Sequence, residues 1–490
     1  MNFGKRLLII GAGNAGEMVI REMQQKKHLQ ILPVAVLDDD EAKLNMKIHN
    51  VPIMGAIKDI EKVCINQNIS EIIIALPSAS KKRIREIVEE CKVTKCKIKI
   101  LPALYSHSSR MTHSSSRMTL SNFTDTKIDI NKMRDVQIED LLGRESINLD
   151  INAVVNLISE KVILVSGGGG SIGSELCRQI VEFHPLKLLI LDNNENGAYE
   201  VQQEILRKYK NQIDVEVIIG SVQDKVRMRK IFETYKPQIF FHAAAHKHVP
   251  ILEQNPFEAV KNNILGTLNC VKLSDEYKID KFILISSDKA VNPINVMGAT
   301  KKICELICQE MNKISKTSYA VVRFGNVLGS SGSVIPLFQK QFEEGGPLLV
   351  THPEVTRYFM TVNEAVQLIL QAGALAQREE IFVLDMGEPI KIDSLAKDFI
   401  RLSGLEPGVD MHIVYTGLRP GEKLHEELYT KEEGLSSTIH EKVFIGKSVA
   451  LDTDMFFEHL KMLNVVVEKE DAGGFEMIVK KLVPSFLAGS

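Results

Sequence analysis

Two short apolar runs, each breaking into a glycine-rich turn, constrain this 490-residue chain more than any other feature. Leu7-Leu-Ile-Ile10 leads into Gly11-Ala-Gly13-Asn-Ala-Gly16, and Val162-Ile-Leu-Val165 leads into Ser166-Gly-Gly-Gly-Gly-Ser-Ile-Gly173. An apolar strand, a tight glycine turn and an opening helix together begin a parallel α/β sheet, so two such sheets are predicted. Further apolar strands fit residues 33–37, 71–75 and 97–101 after the first loop, with a charged helix over about 81–91. After the second loop they fit residues 188–191, 215–219, 238–242, 281–285 and 319–323. Beyond residue 324 the pattern loosens into loops and short elements, with a last helix expected near 472–482.

Between the two alternations the texture changes. Ser-Ser-Arg-Met-Thr at 108–112 is repeated at 115–119 inside a Ser/Thr/His-rich tract. Such a composition cannot bury a core, so residues 106–150 are assigned as a linker or insert. That leaves an N-terminal domain over 1–105 and a second domain over 151–490. A net charge of −3 gives no reason to expect nucleic acid or an anionic membrane as a partner. No run approaches the ~20 apolar residues that span a bilayer, and the first residues read as a strand rather than a signal peptide. Seven cysteines suggest reduced, buried thiols and a cytoplasmic protein; Cys304 and Cys308 could share a helix face, but no metal is expected.

Glycines at such turns let a ligand approach the backbone, and the helix start offers unpaired N–H groups to an anion. In the first domain Asp38 or Asp39 could hold a ribose hydroxyl, but no catalytic constellation accompanies them, and a scaffold role stands as the alternative. The second loop is more specific. Gly167, Gly170 and Gly173 fit the spacing of short-chain dehydrogenase/reductases, with Ser171 and Ile172 opening the helix. Asp192 closes the next strand, where a carboxylate accepts from ribose hydroxyls and repels a 2′-phosphate, which favours NAD over NADP. Ala243 and Ala244, after a later strand, complete the expected cofactor set.

The ordered series of motifs resembles one family, the CapD-like nucleotide-sugar 4,6-dehydratases, a group of extended short-chain dehydrogenase/reductases. It runs through Arg134-Asp-Val-Gln-Ile-Glu-Asp-Leu-Leu-Gly-Arg-Glu145, Gly169-Gly-Ser-Ile-Gly-Ser-Glu175 and His242-Ala-Ala-Ala-His-Lys-His-Val-Pro250. It continues through Ser286-Ser-Asp-Lys-Ala-Val-Asn-Pro293, Arg323-Phe-Gly-Asn-Val-Leu-Gly329 and Gly417-Leu-Arg-Pro-Gly-Glu-Lys423. The resemblance implies a fold of two Rossmann-like parallel-sheet domains, the second an extended dehydrogenase/reductase domain with a small C-terminal substrate lobe. It also implies a homo-oligomer and NAD-dependent dehydration of a UDP-sugar in polysaccharide synthesis. Methionine at position 297, where the superfamily's catalytic tyrosine would stand four places before Lys301, resembles the configuration-retaining UDP-N-acetylglucosamine enzymes of bacillosamine-type pathways. The family's members often carry preceding membrane helices, which this sequence lacks. Ser221 stands where an aspartate is usual near the adenine.

Dehydration across sugar carbons 5 and 6 requires proton transfers from the protein. By resemblance Asp288 is the acid toward the departing hydroxyl and Lys289 the base at carbon 5, with burial and nearby cations expected to lower its pKa. From its position Ser287 is expected to orient the 4-hydroxyl. Lys301 is expected to hold the nicotinamide ribose, and Met297 either marks the subtype or simply packs. Arginine forks suit a diphosphate, so Arg323, Arg357 and Arg419 are candidate substrate ligands, with Lys247, Asn326 and Glu422 beside them by motif. A nucleotide-sugar epimerase and a silent sugar-nucleotide-binding protein are the competing readings.

Overall fold

The computed structural model describes residues 5–25, 31–101, 133–144, 147–210, 212–378, 380–447 and 451–487. Two compact units emerge, one of residues 1–145 with 345–348 and 394–413, the other of residues 146–344 with 349–393 and 414–490.

The first unit is built on a seven-stranded sheet. From one edge its strands are Lys47–Ile48, Val51–Gly55, Ile31–Leu37, Lys5–Ile10, Glu71–Ile74, Lys97–Ile100 and Arg134–Asp135. The five inner strands are parallel and each edge strand is antiparallel to its neighbour. The expected charged helix forms as Lys81–Cys91. Ser80 Oγ caps it by accepting from Arg83 N at 3.2 Å, and Ile84, Ile87, Val88 and Cys91 are its buried stripe. That i, i+3, i+4, i+7 spacing is what an amphipathic helix on a sheet needs. The unit extends past residue 105, because Arg134–Asp135 joins its sheet and Arg134 grips Asp140 with two bonds of 2.6 and 2.8 Å. The Ser/Thr/His-rich repeat lies outside the described residues.

Asp38 and Asp39 separate in this unit. Asp38 accepts from the glycine-loop amide of Ala12 at 2.6 Å and from Asp40 N at 2.9 Å, whereas Asp39 is bound to Arg83 at 2.6 Å.

The second unit carries a nine-stranded sheet in the order Val215–Ile219, Lys187–Asp192, Val162–Ser166, Ile239–His242, Lys281–Ile285, Ser318–Arg323, Ile381–Leu384, Val443–Gly446 and Ser436–Ser437. The first seven run parallel and the last two are antiparallel. These strands are apolar on both faces: Leu164, Phe240, Phe282 and Leu284 pack into one core, and Ile163, Val165, Phe241 and Ile283 into the other. Continuous apolar runs are what a parallel sheet covered on both sides demands. Ser166, His242 and Leu284 are aligned across three strands, so the carboxyl ends finish at one level. The loops that follow, with the Gly167–Gly173 turn and Ser286–Lys289, therefore open on one side of the sheet.

The stretch after residue 324 is more helical than its sequence pattern indicates, with helices Val334–Glu343, Val362–Leu375 and Thr453–Glu468. Val362–Leu375 is buried around most of its circumference, which hides the 3.6-residue period that marks a half-exposed helix. The last helix, Ala472–Leu482, forms as expected. All seven cysteines are free and buried. Among the described residues, no helix is long and apolar enough to cross a membrane.

Candidate active site

A cavity of about 790 Å³ opens at the carboxyl ends of the second sheet. Its floor on one side is the glycine turn. Gly167 has φ +67°, and a Cβ there would lie 2.8 Å from Ala244 N; a Cβ on Gly173 would lie 2.0 Å from Gly167 O. Only glycine allows this turn, helix and following strand end to approach so closely. Gly170 ends the turn at the N-cap of helix Ser171–Ile180, leaving that helix start facing the cavity. Ser171 and Ile172 line the space with Ala243, and Ser171 Oγ accepts from Ser331 N at 3.0 Å. Asp192 braces the turn, with Oδ2 accepting from Gly169 N and Oδ1 from Asn194 N, both at 2.8 Å.

The opposite wall comes from the strand Lys281–Ile285 and the turn after it. Ser286 Oγ donates to Glu305 Oε1 at 2.6 Å and so anchors the strand end. Ser287 Oγ donates to Asp288 Oδ1 at 2.8 Å. Lys289 Nζ lies 3.1 Å from the same Oδ1 and 3.1 Å from Asn326 Oδ1. Asp288 is fully buried, and its Oδ2 has no hydrogen-bond partner among the described residues. Ser287, Lys289 and Asn326 line the cavity.

This turn is locked to helix Val296–Ile314. Asn295 caps the helix by accepting from Gly298 N at 2.7 Å, and a Cβ on Gly298 would lie 2.1 Å from Lys289 O. Met297 therefore reaches the cavity wall from the first turn of the helix, only 3% exposed. Lys301, one turn on, donates from Nζ to Ile285 O at 2.6 Å and also lines the cavity. Burial holds its pKa below the ordinary lysine value. Nearby, His242 sits between Ser166 Oγ at 2.7 Å and Thr267 Oγ1 at 2.9 Å; burial first, and Lys301 second, push its pKa down to about 3.

The model of the polysaccharide biosynthesis protein family matches residues 163–448, and a CoA-binding domain model matches residues 2–102. The capsular polysaccharide biosynthesis protein CapD of Staphylococcus aureus is 45% identical over 461 residues, 93% of this chain and 74% of that protein. The chain belongs to the polysaccharide biosynthesis protein family.

Two further likenesses each cover more than half of this CapD-like protein. An inverting UDP-N-acetylglucosamine 4,6-dehydratase of Campylobacter jejuni is 34% identical, covering 56% of this chain and 80% of that one. The solved structure of Pen from Bacillus thuringiensis superimposes with a TM-score of 0.54 at 31% identity, covering 62% of this chain and 99% of that one. The CapD-like chain is thereby an extended short-chain dehydrogenase/reductase, an enzyme of the nucleotide-sugar dehydratase or epimerase type.

Geometry corrects two expectations for this CapD-like site. Arg323 is not a diphosphate ligand: it is fully buried, bound to Glu305 at 3.1 and 2.7 Å, to Glu433 at 2.9 and 3.1 Å, and to Leu428 O at 3.2 Å. A guanidinium without water must be surrounded by acceptors, and the motif places it inside the unit rather than in the cavity. The pKa of Lys289 is not lowered. Burial opposes its charge, but Asp288 and Glu426 outweigh burial and hold the ammonium above the ordinary lysine range.

The remaining substrate candidates divide. Lys247 lines the cavity and donates to Ser331 O at 2.9 Å. Arg357 is buried, donating to Glu422 Oε1 at 2.9 Å and to Thr356 O at 2.7 Å. Arg419 is exposed on its loop, its backbone amide donating to Glu422 Oε2 at 3.2 Å. Ser221 Oγ accepts from Gln223 N at 3.2 Å.

Two groups were not anticipated. Asn263 accepts from His246 N at 2.8 Å and donates to Thr300 Oγ1 at 3.0 Å, tying the loop after His242 to helix Val296–Ile314. Its only trace in the sequence is the adjacent pair Asn262-Asn263 in the helical stretch Val260–Leu265. Glu426, just past the Gly417–Lys423 motif, lies 3.6 Å from Lys289 Nζ.

Proposed function

We propose that this protein is an NAD-dependent UDP-N-acetylglucosamine 4,6-dehydratase that keeps the configuration at sugar carbon 5 and acts in the cytoplasm during surface-glycan synthesis. The observation that carries the reading is the Asp288–Lys289 pair, hydrogen-bonded at 3.1 Å, with Lys289 and Ser287 on the wall of the cavity that the glycine turn also lines. The cradle suits a dinucleotide, since the turn's Gly167, Gly170 and Gly173 and the start of helix Ser171–Ile180 line the cavity. Gly167, Gly170 and Gly173 would hold the pyrophosphate, Asp192 the adenosine ribose and Lys301 the nicotinamide ribose. NAD, when bound, supplies hydride exchange, taking hydride from carbon 4 and returning it to carbon 6.

The protein's own part is proton movement and orientation. Ser287, bonded to Asp288 at 2.8 Å, would orient the 4-hydroxyl in place of the superfamily's tyrosine and relay its proton to Asp288 as hydride leaves carbon 4. The 4-keto group acidifies the carbon 5 hydrogen, and Lys289 removes it as a proton. Asp288 gives a proton to the carbon 6 oxygen as the carbon–oxygen bond breaks, releasing water. Asp288, carrying the proton received from the 4-hydroxyl, and Lys289, entering as the neutral amine, are then in the forms that these steps need. One base on one face that removes and later returns the carbon 5 proton retains configuration.

Incubation with UDP-N-acetylglucosamine, followed by NMR, tests the reading. A 4-keto-6-deoxy sugar nucleotide is the expected product. A carbon 4 epimer would assign an epimerase, and tight binding without turnover a non-catalytic sugar-nucleotide-binding protein.

A further inference from the structure

Lys289 Nζ is faced by four groups: Asp288 on its own turn, Asn326, Glu426 from the loop after Lys423, and Arg357. Glu426 Oε1 stands 3.6 Å from Lys289 Nζ and 3.9 Å from Arg357 Nε. Its side chain is 3% exposed, and its Oε2 has no hydrogen-bond partner among the described residues. A buried carboxylate oxygen without a partner is costly, so its position needs a reason. Arg357 alone does not supply one, because that arginine already has Glu422 at 2.9 Å.

The ion pair with Asp288 cannot by itself maintain the basicity of Lys289. When Asp288 takes up a proton to become the acid, its negative charge disappears, and the lysine loses the neighbour that favours its ammonium. Glu426 is a second carboxylate within reach, and the mechanism assigns it no proton to give or take.

Resting on the dehydratase reading above, we propose that Glu426 is a positioning residue that keeps Lys289 a strong base by holding the ammonium formed when the carbon 5 proton arrives. A stronger base removes a carbon-bound proton faster but is neutral over a narrower range of pH. Glu426 therefore trades activity at low pH for a higher rate at high pH. Its carboxylate also counters Arg357, which would otherwise oppose a charge on the lysine.

The test is a pH titration of the Lys289 side-chain carbon by NMR in protein labelled at the lysine ε-carbon, assigned by loss of its signal in Lys289→Arg. In Glu426→Gln the Lys289 midpoint is expected to fall by about 1–3 pH units, the usual effect of removing one close opposite charge. Glu426→Asp, which keeps the charge, is expected to restore much of the midpoint. The acid limb of turnover should move to lower pH in Glu426→Gln, and its maximal rate should fall. An unchanged Lys289 midpoint in folded Glu426→Gln would overturn the inference. A shifted midpoint in a protein that never dehydrates UDP-N-acetylglucosamine would uphold the charge coupling and refute the dehydratase reading instead.

Discussion

Asp288 and Lys289, adjacent in the chain, turn their side chains toward each other so that Nζ and Oδ1 are 3.1 Å apart. Adjacent residues on a regular strand point to opposite faces. The two meet because the strand ends at Ile285 and a single 3-10 turn, Asp288–Ala290, follows, with Ser287 Oγ accepting from Lys289 N at its start.

Asp288→Asn and Lys289→Ala should each lower kcat by about 10²–10⁴, the usual size of a general acid or base contribution. NAD affinity, measured by calorimetry, should stay close to wild type, because neither residue forms the glycine cradle. Substantial turnover in both variants would sink the assignment.

Gly173→Ala should abolish NAD binding. The added carbon would sit 2.0 Å from Gly167 O, and backbone rather than a yielding side chain lies in its path. Calorimetric titration checks this directly, and a cofactor affinity equal to wild type would place the nucleotide elsewhere.

Met297→Tyr should keep most of the activity, since the dehydration acid and base lie on another turn. Met297 packs in the buried core, so the larger ring should cost about 1–3 kcal/mol of stability. Thermal unfolding and initial rates separate the two effects. A large gain in rate would show that the vacant tyrosine position limits catalysis.

Breaking the Arg323 clasp should harm stability before chemistry. Arg323→Leu leaves Glu305 and Glu433 buried beside each other with Lys302, 3.6 and 3.1 Å away, as the cation still close to them, and should cost about 3 kcal/mol, seen as a fall in the urea midpoint. Burial opposes the charge on Glu433, but Arg323 outweighs it and pulls the carboxyl down to about 2. A carboxyl depressed in the folded state stabilises above its unfolded value near 4.5 and loses that contribution as pH falls toward 2. Glu433→Gln should therefore lower stability at neutral pH and flatten the acid loss between those limits.

Much of this was legible in the chain. Apolar runs ending in glycine turns gave away both parallel sheets, since a strand buried on two faces has little freedom in composition. Helix Lys81–Cys91 was readable because one face meets water and the other a sheet. Helix Val362–Leu375 was not, because burial on most sides erases that contrast. The motif around Ser286–Lys289 pointed to the cavity, but the neighbouring Arg323 motif, equally suggestive, turned inward.

The sequence by itself determined the local chemistry: which turns only glycine can make, which strands are buried, and that an acid and an amine follow Ile285. Tertiary structure decided the surroundings of the amine. Lys289 and Glu426 are far apart in the chain, and only the folded unit brings them to 3.6 Å, where burial and an opposite charge compete for one proton. Likewise, Arg323 became a structural clasp because Glu305 and Glu433 converge on it, which spacing along the chain does not encode.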